Sequence, residues 1–95
     1  MFESIEEIGR QITPLLQEHG VVRAGIFGSY ARGTAASSSD VDVVVEFEQG
    51  RTLLDLVGLR LDLTEVLGRE ADVVTYGSLH PRLRDRILSE QVRVL

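Results

Sequence analysis

Two acidic side chains stand at the entrance to an apolar run near the middle of the chain. Asp40 and Asp42 are separated by one residue, and three consecutive valines follow in the segment SDVDVVV. In a strand, the two-residue side-chain period places both carboxylates on one face, with Cα atoms about 6.6 Å apart. Such a pair is electrostatically costly unless a cation lies there, and hard oxygen ligands suit Mg²⁺. The pattern therefore predicts a site for two magnesium ions, as used in phosphoryl transfer.

A glycine and a serine, Gly28 and Ser29, follow the apolar run Val21 to Phe27 and precede a short segment with helical character. A strand that leads into a helix N-terminus presents backbone N–H groups and a positive dipole end to an anion. The glycine permits close backbone approach, and the Ser29 hydroxyl adds a donor. We interpret the pair as a phosphate-binding turn that serves a nucleoside triphosphate. Taken alone, Gly28-Ser29 is also consistent with any tight turn, and Asp40-x-Asp42 with any polar strand entry.

A third carboxylate on a neighbouring strand would complete such a site. Asp72 precedes Val73 and Val74 and repeats the pattern of an acid that opens an apolar strand. Glu70 lies on the same strand face and is the alternative. We favour Asp72 because the apolar run begins immediately after it, whereas Glu70 falls in the preceding turn.

The elements that must position these residues follow from periodicity and from capping signals. The order helix, strand, strand, helix, strand, helix, strand predicts an α/β fold with a mixed central sheet of three to four strands flanked by helices. The predicted elements are a helix from Ser4 to Gly20, strands at 22–27, 41–47 and 71–75, a helix at 53–67, a helix that begins at Pro81, and a short strand at 92–95. Residues 33–39 are predicted to form a loop beside the site.

Two helices carry features that the simplest fold does not explain. Pro14 lies inside the first helix and predicts either a kink or a restart, with Thr13 as the new N-cap. The helix at 53–67 is apolar around about two thirds of its circumference, which is wider than packing on a sheet requires. Leu54 and Leu61 lie off its main stripe. They either contact a partner or are wrapped by a small core, and both alternatives stay open here.

Composition narrows the class of protein. The 95 residues, 1–95, are expected to form one domain. Cysteine is absent, and His19 and His80 lack zinc-ligand spacing. The acidic N-terminus does not resemble a signal peptide, and no apolar run has membrane-spanning length, so no membrane association and a cytoplasmic location are expected. A net charge of −5, with arginine as the only basic residue type besides histidine, argues against direct nucleic-acid binding.

The ordered combination of GSYARG, SDVDVVV and a later ADVV resembles the nucleotidyltransferases of the DNA polymerase beta superfamily. Within that superfamily it is most similar to the minimal nucleotidyltransferases, or MNT-domain proteins, over nearly the whole chain. Other phosphate motifs, G-x-x-x-x-G-K-[ST] and G-x-G-x-x-G after a strand, are missing from the sequence.

The resemblance implies a role for each matching residue. Gly28 and Ser29 match the family's phosphate-binding pair, and Asp40 and Asp42 match its two metal-bridging aspartates. Asp72 matches the third carboxylate, which binds the catalytic metal and helps to deprotonate the attacking hydroxyl. Arg32 matches an arginine that either positions the triphosphate or braces the loop. The implied reaction is AMP transfer from ATP with two Mg²⁺ ions.

The resemblance also implies a partner. Minimal members are similar to antitoxins that adenylylate a tyrosine hydroxyl of an all-helical HEPN-domain ribonuclease toxin. The expected assembly is a hetero-oligomer with such a toxin, with a homodimer as the alternative. Two other functions stay open from the residues: an antitoxin that neutralises its partner by binding alone, and nucleotidyl transfer to a small-molecule acceptor.

Overall fold

The computed structural model describes residues 4–36 and 39–95. Its elements are α1 (Ile5–Glu18), β1 (Val21–Phe27), α2 (Ser29–Arg32), β2 (Val41–Phe47), α3 (Leu53–Leu67), β3 (Ala71–Thr75), a 3₁₀ turn (Tyr76–Ser78), α4 (Pro81–Glu90) and β4 (Val92–Arg93). The predicted order of elements is confirmed. Of the predicted loop at 33–39, Ser37 and Ser38 lie outside the described residues.

The four strands form one mixed sheet in the order β3-β2-β1-β4. β2 is antiparallel to β1 and parallel to β3, while β4 runs antiparallel along the free edge of β1. The parallel pair is joined by α3, since a parallel connection needs a crossover. Val43, Val44 and Val45 are all fully buried because β2 lies inside the sheet with packing on both faces. The predicted fold class is therefore confirmed.

The two faces of the sheet are covered unequally. α1 and α3 pack on one face, where a large core includes Ile8, Ile12, Leu16, Val41, Val43, Val45, Leu59, Leu63, Ala71 and Val73. The other face carries a smaller cluster that joins Val44 to Tyr76 and to Ile87 of α4. Because strand side chains alternate, Asp42 and Asp72 lie on this second face. The predicted site carboxylates are thus on the more thinly covered side of the sheet.

α1 passes through Pro14 without ending, so the predicted restart at Thr13 is wrong. Pro14 is exposed, and the Thr13 hydroxyl donates to the Gly9 carbonyl at 2.6 Å. The buried stripe of this helix, formed by Ile8, Ile12 and Leu16, spans both sides of the proline. Packing of that stripe on the sheet offsets the one backbone donor that proline removes.

The structure decides between the two explanations for the broad apolar surface of α3, partner contact and wrapping by the core. Leu59, Leu63 and Leu67 are buried, whereas Leu54 and Leu61 are 82% and 64% exposed. The core therefore does not wrap around them, and that alternative is wrong. We define the α3 outer face as Leu53, Leu54, Val57 and Leu61, which are all exposed. Across the described ranges, no helix has both the length and the apolar character needed to cross a membrane.

Candidate active site

Asp42 and Asp72 meet at one end of the sheet. The parallel pairing of β2 with β3 places the two residues directly opposite each other, and neighbouring strands lie about 4.8 Å apart. Asp40 immediately precedes β2 and is exposed. The structure thus brings all three predicted carboxylates to the same region. The Asp40–Asp42 proximity follows from sequence spacing, but the Asp42–Asp72 proximity depends on strand register.

The surroundings of Asp42 make ionisation of its carboxyl group unfavourable. Partial burial raises the pKa of its carboxyl above the ordinary value of 3.8, and the nearby charges of Asp72 and Asp40 raise it further. Arg32 acts in the opposite direction, but more weakly. The ionised form of Asp42 is therefore disfavoured in the free protein, and a bound cation would relieve that cost.

The donor chemistry of the carboxylate cluster fits a hard cation. Asp40, Asp42 and Asp72 offer only oxygen ligands, which suit Mg²⁺ better than zinc. In residues 4–36 and 39–95, no three His, Cys, Asp or Glu side chains are grouped closely enough to form a ready metal site. The carboxylates are near enough to influence the pKa of Asp42 without converging on one point. They fit as candidate ligands by residue type, placement and electrostatics.

The Gly28 turn packs directly against Asp42. Phe27, the last residue of β1, pairs with Asp42 in the antiparallel register, so the chain turns at this point. Gly28 has φ of 76° and ψ of −150°, a backbone conformation found almost only in glycine. A Cβ atom at this position would lie 2.1 Å from Asp42 Oδ2. Glycine therefore allows the predicted phosphate-binding turn to lie beside the carboxylates.

α2 is short, and its second residue, Tyr30, anchors it to the main core. The Tyr30 ring is buried in the main core, and its hydroxyl accepts a hydrogen bond from Arg69 Nη1. Gly33 ends the helix in the left-handed conformation, with φ of 76°. This anchoring places Ser29 at the first helical position, directly after the turn. The short helix expected after Gly28 is confirmed as a structural element.

Glu90 is a member of this region that sequence reasoning missed. Its Oε1 atom accepts a hydrogen bond from the Gly28 N–H at 2.8 Å and pairs with Arg32 Nη1 at 3.0 Å. The contact spans 62 residues of sequence. Its only sequence signal is an acid before the last apolar segment, which is too common to be informative. Of the two roles considered for Arg32, the observed contact corresponds to bracing the loop.

Glu70, the rival of Asp72, is engaged elsewhere. Its Oε1 atom lies 2.7 Å from Arg60 Nη2, in an exposed ion pair between α3 and the turn before β3. The strand register pairs Asp42 with Asp72, not with Glu70. These contacts favour Asp72 as the third member of the carboxylate cluster.

Three features together define the nucleotidyltransferase class. They are a mixed sheet with helices on both faces, a Gly-Ser turn after the first strand, and carboxylates at the adjoining ends of two parallel strands. Comparison with known families agrees with this class. Residues 8–94 match the family model of the nucleotidyltransferase domain. The chain belongs to this family.

Two relatives match almost the whole chain. A protein of Methanocaldococcus jannaschii, provisionally named a protein adenylyltransferase, is 59% identical over 92 residues, covering 97% of this chain and 99% of its own length. The protein adenylyltransferase MntA of Thermococcus cleftensis is 38% identical over 95 residues, covering 96% of each chain. The similarity to minimal nucleotidyltransferases predicted from the motifs is confirmed.

Solved structures give the same assignment at the level of fold. A protein provisionally identified as a minimal nucleotidyltransferase is 42% identical, with a TM-score of 0.83 and 95% coverage of both chains. A toxin–antitoxin structure with AMP-PNP has a TM-score of 0.80 at 22% identity, covering 92% of this chain and 72% of that one. At that identity the second likeness shows the fold alone.

Proposed function

We propose that this protein transfers AMP from Mg-ATP to a hydroxyl group of a partner protein. The observation that carries the proposal is the placement of Asp42 in register with Asp72, directly beside the Gly28 turn. The raised pKa of Asp42 supports it, because a carboxylate cluster that destabilises itself suits cation binding. Two relatives over nearly the full chain carry the name protein adenylyltransferase, one of them provisionally.

In this proposal each residue has a distinct task. Asp40, Asp42 and Asp72 hold two Mg²⁺ ions, whose chemistry when bound is to polarise phosphoryl oxygens and to lower the pKa of the attacking hydroxyl. Ser29 donates its hydroxyl to a phosphate oxygen, and the N–H groups of the first turn of α2 face the same anion. Asp72 is exposed and accepts the proton of the attacking hydroxyl.

The reaction breaks a phosphoanhydride bond of ATP and forms a phosphoester bond to the acceptor. The acceptor oxygen forms a bond to the α-phosphorus, and the bond from that phosphorus to the pyrophosphate oxygen breaks in line with it. The acceptor proton passes to Asp72 and then to solvent. AMP remains on the acceptor, and pyrophosphate leaves with the electron pair of the broken bond.

The acceptor that we propose is a tyrosine of a HEPN-type helical toxin, so the protein acts as the antitoxin of a pair. One solved structure contains a chain of the same fold, with a TM-score of 0.74 and 18% identity, and is described as a tri-AMPylated Shewanella oneidensis HEPN toxin in complex with an MNT antitoxin. The exposed α3 outer face of the present chain supports a protein acceptor, since a small hydroxylated molecule needs no such apolar surface.

Asp72→Asn is expected to slow AMP transfer at least about 100-fold, because it removes the proposed proton acceptor and a metal ligand. The assay combines the chain with Mg²⁺, ATP and a HEPN-type toxin, and measures the mass gain of one or more AMP units on the toxin. Glu70→Gln is the matched control, because it lies two residues away and pairs with Arg60. It should remain within about twofold of the unaltered chain.

Two outcomes would contradict the proposal. One is no mass gain from the unaltered proteins at saturating Mg-ATP. The other is a loss in Glu70→Gln as large as the loss in Asp72→Asn, which would move the third carboxylate to Glu70.

The double substitution Leu54→Ser and Leu61→Ser is expected to weaken toxin binding at least about tenfold, since each leucine contributes about 2 kcal/mol when buried. The melting temperature should change little, because both side chains are exposed in the free chain. Val66→Ser is the control: this residue is 45% exposed on the same helix but lies about 120–140° away around its axis. Titration calorimetry with the toxin gives the comparison. Equal weakening by Val66→Ser would exclude a specific role for the α3 outer face.

A further inference from the structure

We propose that Glu90 is a positioning residue for the phosphate-binding turn, an inference that rests on the proposed function of that turn. One carboxylate oxygen of Glu90 contacts both the Gly28 N–H and the Arg32 guanidinium, at 2.8 and 3.0 Å. Its side chain is only 16% exposed, whereas that of Arg32 is 46% exposed. Glu90 therefore holds the turn from its protected side, while Arg32 keeps an open side toward solvent.

The position of Glu90 is fixed by the packing of the segment that follows it. β4 pairs antiparallel with β1, with Val92 opposite Ile26 and Arg93 opposite Gly25. Between Glu90 and this pairing, the Gln91 side chain accepts a hydrogen bond from the Tyr76 hydroxyl at 2.6 Å. That side chain also lies against Gly25, where an added Cβ would come within 2.1 Å of its Oε1 atom. The end of α4 is thus tied to β1 at the point where β1 leads into Gly28.

The contact leaves enough donors for a phosphate group. The Gly28 N–H is used by Glu90, but the first N–H groups of α2 have no acceptor within a helix by geometry. Arginine has five N–H donors, and only Nη1 of Arg32 contacts Glu90. Charge-assisted hydrogen bonds are about twice as strong as neutral ones, so this carboxylate restrains both partners effectively. Glu90 accordingly orients the turn and Arg32 without removing all of the anion-binding groups.

The opposite role would be competition, with the carboxylate occupying groups that the triphosphate needs. The two roles predict opposite signs for ATP affinity when the carboxylate is removed. A positioning residue makes binding weaker on removal, whereas a competing anion makes it stronger.

Glu90→Ala is expected to raise the KM for ATP about tenfold in the AMP-transfer assay, a change of about 1.4 kcal/mol, and to alter kcat less than about threefold. Glu90→Gln keeps an acceptor oxygen without the charge, and its KM should lie between the other two. Asp85→Ala on the exposed surface of the same helix is the control and should match the unaltered chain. Calorimetry of ATP binding to each variant, without the toxin, gives a second measurement that does not depend on AMP transfer.

If Glu90→Ala lowers the melting temperature, its effect on ATP binding could come from lost stability. Glu90→Gln then provides the test of positioning, because it preserves the shape of the side chain. Binding of ATP that is about threefold weaker in Glu90→Gln, at an unchanged melting temperature, would support positioning. Equal or tighter ATP binding in either variant would overturn it in favour of a passive or competing carboxylate. Absence of ATP binding and transfer in the unaltered chain would instead reject the proposed function itself.

A double-substitution cycle with Arg32→Ala tests whether Glu90 acts through Arg32. The other partners of Glu90 are the Gly28 N–H and, at 4.0 Å from Oε2, Arg86 Nε on the same helix. If Glu90 acts mainly through Arg32, Glu90→Ala should add little to the KM of Arg32→Ala. Full additivity of the two effects would show that Glu90 does not act through Arg32, which leaves the Gly28 N–H as its contact within the turn.

Discussion

Asp42→Asn should abolish AMP transfer while making the folded chain more stable. Transfer is expected to fall at least about 10³-fold, or about 4 kcal/mol in activation free energy, because Asp42 is the proposed ligand between the two other carboxylates. Stability should rise because the ionised Asp42 carboxylate is partly buried and lies near the charges of Asp72 and Asp40. An amide of the same shape carries neither the burial cost of a charge nor the repulsion.

The pH dependence of stability follows from the same contact. The pKa of Asp42 is raised in the folded chain, so the folded state binds more protons than the unfolded state between 3.8 and that raised value. The contribution of Asp42 therefore becomes less favourable as pH rises through the folded pKa. Urea unfolding of the unaltered chain and of Asp42→Asn should differ most above that pKa, and should converge as pH falls toward 3.8. Loss of stability in Asp42→Asn at neutral pH would contradict this account.

Asp42→Asn also distinguishes an antitoxin that acts by AMP transfer from one that neutralises its partner by binding alone. Asp85→Asn, an exposed carboxylate on α4, is the control for the loss of one negative charge. If Asp42→Asn still neutralises the toxin as fully as the unaltered chain, binding alone suffices and the proposed reaction is not needed for antitoxin action. If neutralisation is lost with toxin binding intact, transfer is required.

Gly28→Ala should impair both folding and transfer, and Gly33→Ala should impair them far less. Both glycines have φ of 76°, so both substitutions place alanine at a left-handed φ. Only Gly28 has ψ of −150°, and only there does the added Cβ meet a neighbour, Asp42 Oδ2 at 2.1 Å. Among the described residues, and leaving aside its two chain neighbours, no atom lies within 4 Å of a Cβ at Gly33. The pair therefore separates backbone strain from collision with the site.

We expect Gly33→Ala to cost about 1 kcal/mol of unfolding free energy and Gly28→Ala about 3 kcal/mol or more. Transfer by Gly28→Ala should fall at least about 100-fold, since displacement of Asp42 or of the turn misplaces reacting groups. Chemical denaturation and the AMP-transfer assay provide the two measurements. Similar losses in the two variants would mean that the contact between Gly28 and Asp42 has no special role.

The carboxylate cluster illustrates a conflict between folding and the proposed chemistry. Asp42 lies among the buried valines of β2, with Val41 before it and Val43 to Val45 after it, and an apolar residue in its place would continue their pattern. The chain instead keeps a carboxylate whose ionisation opposes folding. Costs of this kind are typical of groups retained for binding or catalysis.

The sequence by itself determined the elements and the local placement of the candidate site. Short-range signals mark where three elements begin. An acid opens the valine run of β2, and a second acid precedes Val73 in β3. Thr52 and Asp55, three residues apart in the sequence, form a capping box at the start of α3. The turn at Gly28 follows from a glycine directly after an apolar strand. Each of these signals depends on neighbours within a few residues, where backbone geometry and side-chain period act directly.

Only the tertiary structure decided which distant residues meet. Strand register placed Asp72 opposite Asp42, and the pairing of β4 with β1 brought Glu90 to Gly28. Helix packing kept α1 continuous through Pro14 and left Leu54 and Leu61 exposed. Periodicity shows which face of an element is apolar, but not what covers that face or which strand lies beside it. Those outcomes depend on how the whole chain buries its apolar surface at once, and no local pattern contains that information.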